Sequence, residues 1–177
     1  MSYRFESTYD RAALTAMAKC LRKTVRRKKS RRSHVWGWIV IALAVLLAVM
    51  SQKDGFTFDL LAFITGIAAI VLAVVLIFED RVNGALARKN MLKGTEHAVA
   101  VFDPENQAFF VSETAVGKTE FPYDSILVIA ETELYFVFIL SAIHGQIYDK
   151  RNLTGGNADA FRQFIRERTG KEIVPVK

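Results

Sequence analysis

The sequence predicts an α+β membrane protein: a two-helix transmembrane hairpin, preceded by a basic amphipathic helix and followed by a small antiparallel β domain that one helix closes. Three observations carry this expectation: two long apolar runs without a charge, dense Lys and Arg on the outer flank of each run, and short strand-like segments beyond residue 94. A length of 177 residues suits one modest domain with extras, because domains ordinarily take about 100–150 residues. The single cysteine, Cys20, cannot close an intramolecular disulfide, so nothing in the chain calls for an oxidising compartment.

Residues 1–34 read as a cytoplasmic basic arm. They hold eleven Lys or Arg against Glu6 and Asp10, a net of +9 in a chain that totals +6, which leaves −3 for the rest. Such a split marks an arm that meets an anionic surface, joined to a mildly acidic body. Asp10 can cap a helix in which Leu14, Ala18, Leu21 and Val25 recur every three or four residues. Before it, Tyr3, Phe5 and Tyr9 alternate with polar residues and predict a short strand over 2–7. The run VRRKKSRR has the composition of a nucleic-acid patch, yet it abuts an apolar span. Anionic lipid headgroups are therefore the expected partner, ranked above nucleic acid, with Arg22, Lys23, Arg26, Arg27, Lys28, Lys29, Arg31 and Arg32 as the contacts.

Residues 35–78 form the expected hairpin, with helices over 35–50 (VWGWIVIALAVLLAVM) and 60–78 (LLAFITGIAAIVLAVVLIF) and an outer loop over 51–59. A hydrocarbon core takes roughly 20 helical residues. The second run suffices outright, and Ser33, His34 and Ser51 extend the first, with Trp36 and Trp38 suited to the interface. A soluble protein of this size lacks the material to cover both helices all round. The loop is short, so the helices must be antiparallel neighbours. Cations crowd the residues before the first helix and, as Arg81, Arg88, Lys89 and Lys93, those after the second, whereas the loop has Asp54, Asp59 and one cation, Lys53. The positive-inside rule then puts both termini in the cytoplasm of a multi-pass protein of the cell membrane. Gly37, Ala44 and Ala48 fall on one helical face, as do Ala62, Gly66, Ala69 and Ala73, and these small faces are expected to pack against each other or in a homodimer. Neither run contains an ionisable residue, the usual marker of an ion path, so a transporter or channel is not expected.

Residues 79–93 read as a juxtamembrane stalk that Gly94 ends, and 94–177 as a cytoplasmic β-rich domain. Strand-like segments cover 97–102, 108–112, 125–132, 134–141 and 145–148, with turn chemistry at Asp103-Pro104-Glu105-Asn106 and a break at Pro122. An antiparallel meander follows. Both faces of 134–140 are apolar, which predicts a central strand covered on each side. One cover is a helix over 158–169, capped by Asn157 and Gly170, that presents Phe161, Phe164 and Ile165; the other is a juxtamembrane helix or the bilayer surface.

Chemistry-bearing residues form no recognisable constellation. A nucleophile with a base would pair Cys20 with His34, His97 or His144, and none of these combinations has a known spacing. Cys20 reads as a semi-buried helix residue, with palmitoylation as the alternative. No Cys, His or carboxylate set has metal-ligand spacing, so no metal or cofactor is expected. Thr154-Gly155-Gly156 lacks the length and the Lys of a phosphate loop, and Glu131 with Glu133 reads as a solvated strand face.

Several segments together resemble the YcxB-like family of bacterial membrane proteins. They are an early Tyr9-Asp10, a basic helix, the apolar hairpin, and the stretch Tyr123, Asp124, Ser125, Ile126 to Ile129, Glu131, Thr132 before an aromatic strand. Tyr148-Asp149-Lys150-Arg151 and Phe161-Arg162-x-Phe164 complete the likeness, with Asp149 where the family pattern has Pro. The resemblance implies a β domain similar to pleckstrin-like modules and supplies no reaction. The expected function is a membrane-anchored, non-enzymatic interaction or sensory module whose β domain meets lipid heads or a protein partner. The alternatives are a membrane-bound enzyme of unknown class and a membrane tether for nucleic acid through the basic arm.

Overall fold

The computed structural model describes residues 2–50 and 60–177; the expected outer loop, 51–59, and the side chains of 60–62, Ala62 among them, lie outside the described residues. Within the described residues the protein is α+β, with two sheets, antiparallel except for one edge pair, and five α-helices. The chain opens with β1 (Tyr3–Thr8), whose alternation buries Phe5 and Ser7 and exposes Arg4 and Glu6. This strand pairs antiparallel with β2 (His97–Phe102), and β3 (Phe109–Thr114) and β4 (Gly117–Pro122) follow on the far side. A two-residue β8 (Leu153–Thr154) pairs with the other edge of β1 and completes a five-stranded sheet. The first residues of the expected arm are therefore an inner strand of the sheet expected from 94–177. Phe5 explains the difference: fully buried, it meets Phe161 at 4.7 Å and Phe102 at 5.8 Å between ring centroids, and without it the aromatic core would be open.

The second sheet has the order β7 (Gly145–Asp149), β6 (Tyr135–Ile139), β5 (Val128–Glu131) and β9 (Ile173–Pro175). Its first three strands form an antiparallel meander as expected, but the segments at 97–102 and 109–114, expected in the same meander, belong to the other sheet, and β9 runs parallel to β5. The α5 helix (Ala158–Thr169) lies between them in sequence and carries the chain back, as a parallel partner requires. Asn157 caps α5 by accepting from the Ala160 amide at 2.8 Å, and Gly170 ends it in the left-handed conformation, φ 64°. Phe161 and Ile165 of α5 enter a core with Phe102, Phe110, Phe136, Phe138 and Tyr148.

All five residues of β6 are buried, and the two faces of the strand serve different clusters. Phe136 and Phe138 join the aromatic core, while Tyr135, Val137 and Ile139 pack with Ala13, Cys20 and Leu21 of α1 (Arg11–Lys23). Asp10 starts α1 by accepting from the Ala13 amide at 2.7 Å. After a break at 24–26, α2 (Arg27–Met50) takes the basic residues and the first apolar run in one helix, and α3 (Leu60–Ile77) returns beside it. Gly37 admits the contact, because a Cβ there would lie 2.6 Å from a Leu76 methyl. By length and composition α2 is long and apolar enough to cross a membrane, whereas Phe63–Ile77 passes the same test only jointly with α4 (Glu79–Lys89), from which it is bent by 83°. The expected stalk thus turns away from the line of α3 and lies along α1. At their crossing a Cβ on Gly84 would come within 2.8 Å of the Thr15 amide nitrogen, so only glycine fits without displacing backbone.

The hydroxyls of Tyr123 and Tyr148 are buried with no hydrogen-bond partner among the described residues. Burial pushes both phenols up, Tyr123 to about 12. A buried unsatisfied hydroxyl costs roughly 1–3 kcal/mol. Tyr148→Phe should therefore raise the thermal unfolding midpoint of the full chain in detergent; a fall would mean that the hydroxyl holds a bound partner.

Candidate functional site

Two charged regions flank α1, and both depend on the turn that places α4 beside it. At the bend between α3 and α4, Asp80 receives two hydrogen bonds from Arg22, Nε to Oδ1 at 2.7 Å and Nη2 to Oδ2 at 2.6 Å. The neighbouring Glu79 accepts from Ser30 Oγ at 3.0 Å and lies 2.7 Å from His34 Nε2. Acidic residues in the first turn of α4 also suit the positive end of its helix dipole. The hydrogen bond to Asp80 raises the Arg22 guanidinium above its already high ordinary value. Bidentate geometry on partly buried side chains makes this pair stronger than an exposed ion pair.

Beside α1 a groove of about 1470 Å³ opens towards the β5–β6 turn. Glu131 is the centre of its inner wall. Lys150 Nζ reaches Glu131 Oε1 at 2.5 Å and the Thr132 carbonyl at 2.6 Å, while Arg162 donates to Oε2 at 3.0 Å and to Oε1 at 2.7 Å. Both cations also lie over the Phe136 ring, at 5.0 and 5.8 Å from its centroid. Burial works to raise the Glu131 carboxyl, but the hydrogen bonds from Arg162 and Lys150 outweigh it and hold the group below its ordinary value. Arg11 and Lys19 of α1 and Arg81 of α4 line the outer wall and take part in no ion pair among the described residues.

The residues singled out from the sequence fall in several places. Of the expected headgroup contacts, Arg22 is engaged by Asp80 and Lys23 donates to the Lys177 carbonyl at 2.7 Å. Arg26 is half-buried, and Arg27, Lys28, Lys29, Arg31 and Arg32 are exposed at the start of α2. Ala44, Ala48, Gly66, Ala69 and Ala73 line one groove of about 370 Å³ between α2 and α3. Cys20 is fully buried, and burial pushes its thiol up to about 12. His97 Nδ1 lies 3.1 Å from the Thr8 hydroxyl and His144 Nδ1 3.2 Å from the Ser141 hydroxyl, both exposed. Gly155, φ 84°, sits in a turn so tight that a Cβ would lie 2.0 Å from the Ser2 carbonyl oxygen. Glu133 is exposed as expected, but Glu131 is paired inward with Lys150 and Arg162 and does not lie on a solvated strand face. Among the described residues no three His, Cys, Asp or Glu come together as a metal site would require.

Sequence reasoning missed Glu79, Asp80, Lys150 and Arg162 as partners. Arg22 and Asp80 are 58 positions apart, and Glu131 is 31 from Arg162, so no local spacing announces either contact. The one signal was indirect: the acidic pair Glu79-Asp80 follows an apolar run directly, where a lone charge would need a cation.

Glu131 sets an acid limit on the fold. Its carboxyl is depressed, so its contribution is complete above the ordinary glutamate value of about 4.3 and is lost as the pH falls through the lower folded value. Glu131→Gln should cost about 1–3 kcal/mol at neutral pH and flatten the loss of stability between about pH 5 and 3, read by denaturant unfolding at each pH. An unchanged acid slope would show that the ion-pair cluster contributes nothing.

No curated protein and no solved structure matches the chain. A family model does match: the family described as YcxB-like protein covers residues 104–165, a span that includes Glu131, Lys150 and Arg162, and the chain carries a YcxB-like domain there.

Proposed function

We propose that the chain is a membrane-anchored, non-catalytic interaction module, in which α2 and α3 cross the bilayer as a hairpin and hold a two-sheet domain at the cytoplasmic surface. The observation that carries this reading is the position of α1, packed on one side by β6 and on the other by α4, at the base of both apolar helices. An anchor joined in this way fixes the orientation of the domain as well as its location.

The apolar helices support the hairpin. Val35, Leu43, Val45, Leu46, Leu47 and Val49 on α2 and Phe63, Ile64, Ile70 and Val71 on α3 are each more than half exposed. Burying such a side chain is worth about 1.5–3 kcal/mol, so in water the pair would leave a large favourable term unrealised, whereas a bilayer supplies the cover. Cations at both inner ends support termini in the cytoplasm, since Arg27 to Arg32 precede the apolar part of α2 and Arg81, Arg88, Lys89 and Lys93 follow α3. A binding role is preferred to an enzymatic one because Glu131 is satisfied by two cations, Cys20 is buried, and the exposed histidines bond only to neighbouring hydroxyls. The two sheets with a C-terminal helix also suit a pleckstrin-like module.

Substituted-cysteine labelling in intact cells tests the topology, in a Cys20→Ala background. Gly55→Cys, in the segment outside the described residues, should react with an impermeant reagent, whereas Ser33→Cys and Glu113→Cys should react only after permeabilisation. Labelling of Glu113→Cys from outside would overturn both the orientation and the cytoplasmic placement of the domain.

A further inference from the structure

We propose that the groove between α1 and the β5–β6 turn is a binding site for a phosphate group, carried either by a lipid headgroup or by a small soluble anion. The inference starts from charge. Arg11, Lys19, Arg81, Lys150 and Arg162 face Glu131 and Glu133 across it, five cations against two carboxylates, a net of +3 before Lys177 is counted. Lys150 and Arg162 already share Glu131, and Glu133 is exposed at the rim. The surplus therefore rests on Arg11, Lys19 and Arg81.

These three are held by structured elements and not by a loose tail. Arg11, Thr15 and Lys19 recur every four residues on α1 and so share one helical face. Arg81 precedes Gly84 by three residues on α4, and Gly84 is the point of contact with Thr15. The close approach of the two helices thus brings Arg81 to the side of α1 on which Arg11 and Lys19 lie. Arg11 and Lys19 stand eight residues apart, about 12 Å along the axis of α1, and Arg81 lies over the Phe78 ring at 5.4 Å from its centroid, so an anion would meet these charges by lying along the groove. The shape of the site selects among anions: two guanidinium groups offer paired planar donors that match phosphate oxygens, and an ammonium adds a compact charge. Arg22, one turn beyond Lys19 on α1, is already engaged by Asp80, whereas Arg11 and Lys19 have no ion pair among the described residues. The placement also deepens the membrane reading and rests on it in one respect. Arg81 lies four residues beyond Ile77, the last residue of α3, so a spanning hairpin would set the mouth of the groove at the level of the headgroups.

The test uses the full-length protein in phosphatidylcholine nanodiscs, with inorganic pyrophosphate as the soluble probe by calorimetry. Phosphatidylglycerol mixed into the discs is the lipid probe, followed by native mass spectrometry of retained lipid. The variant Arg11→Gln/Lys19→Gln/Arg81→Gln should weaken binding of the competent probe at least tenfold. Lys118→Gln/Lys171→Gln, on the β domain and outside the groove, should leave it within twofold, and raised salt should weaken the wild type. Pyrophosphate binding without lipid retention would identify a soluble phosphate as the ligand, retention of phosphatidylglycerol alone a headgroup, and either supports the site. Arg81→Gln by itself, which leaves α1 intact, should lose affinity in the same direction with an unchanged unfolding midpoint. Failure of both probes to bind, or equal weakening by the groove and control variants, would overturn the proposal. If the chain is recovered outside the discs, the membrane reading falls, and pyrophosphate binding in solution still decides the groove.

Discussion

The structure depends on α1 being covered from two sides. One face of this helix buries Ala13, Cys20 and Leu21 against the outer face of β6; the other meets α4 so closely that Gly84 is required at the crossing. Without α1, Tyr135, Val137 and Ile139 would face water on a strand whose opposite face is already committed to the aromatic core. Without α4, α1 would have no link to the end of α3. The β domain and the apolar helices are thus joined by a packed interface and by the Arg22–Asp80 pair, which rotatable linkers could not replace. Packed interfaces transmit displacement because they resist compression. A module built in this way can pass a shift of the apolar helices to the sheet, or the reverse.

Charge along α1 falls into two groups. At the bend, Arg22 pairs with Asp80 and His34 lies in hydrogen-bond contact with Glu79, and this fixes the angle between the helices. In the groove, the partly buried Glu131 is matched by two cations, and Arg11, Lys19 and Arg81 have no ion pair among the described residues. The first arrangement is structural and the second is open to a ligand. Exposed Arg27 to Arg32 add a further positive belt at the start of α2, where their side chains can reach outward from the apolar part of the helix.

Much of this was legible in the sequence where periodicity or local chemistry carries the information. The apolar runs, the helix capped by Asp10, the α5 helix between Asn157 and Gly170, and the strand over 97–102 all follow from spacing and caps. The two-faced burial of 135–139 was likewise readable, and of the two covers expected for its second face the helix α1 is the one present. Other features have no local signal. The strand β4 (GKTEFP) is almost wholly exposed and shows no apolar alternation, and β9 is three residues long. That β1 pairs with β2 depends on a contact between residues some ninety positions apart, beyond the apolar helices, which is why the N-terminal residues read as an arm. A fragment that begins at residue 94 would lack an inner strand and Phe5. The groove was illegible for a similar reason, since its cations come from α1, α4, α5 and the turn after β7, and only the fold brings them to one surface.

The central claim is that α1 locks the β domain and the apolar helices into one unit. Spin labels at Val40→Cys on α2 and Glu113→Cys on β3, in a Cys20→Ala background, measure it directly by double electron–electron resonance on the full-length protein. The account predicts a single narrow distance distribution, which Gly84→Val should broaden by forcing α4 away from Thr15. A broad or multiple distribution in the unmodified background would contradict it, because the domain would then hang from the apolar helices on a flexible joint.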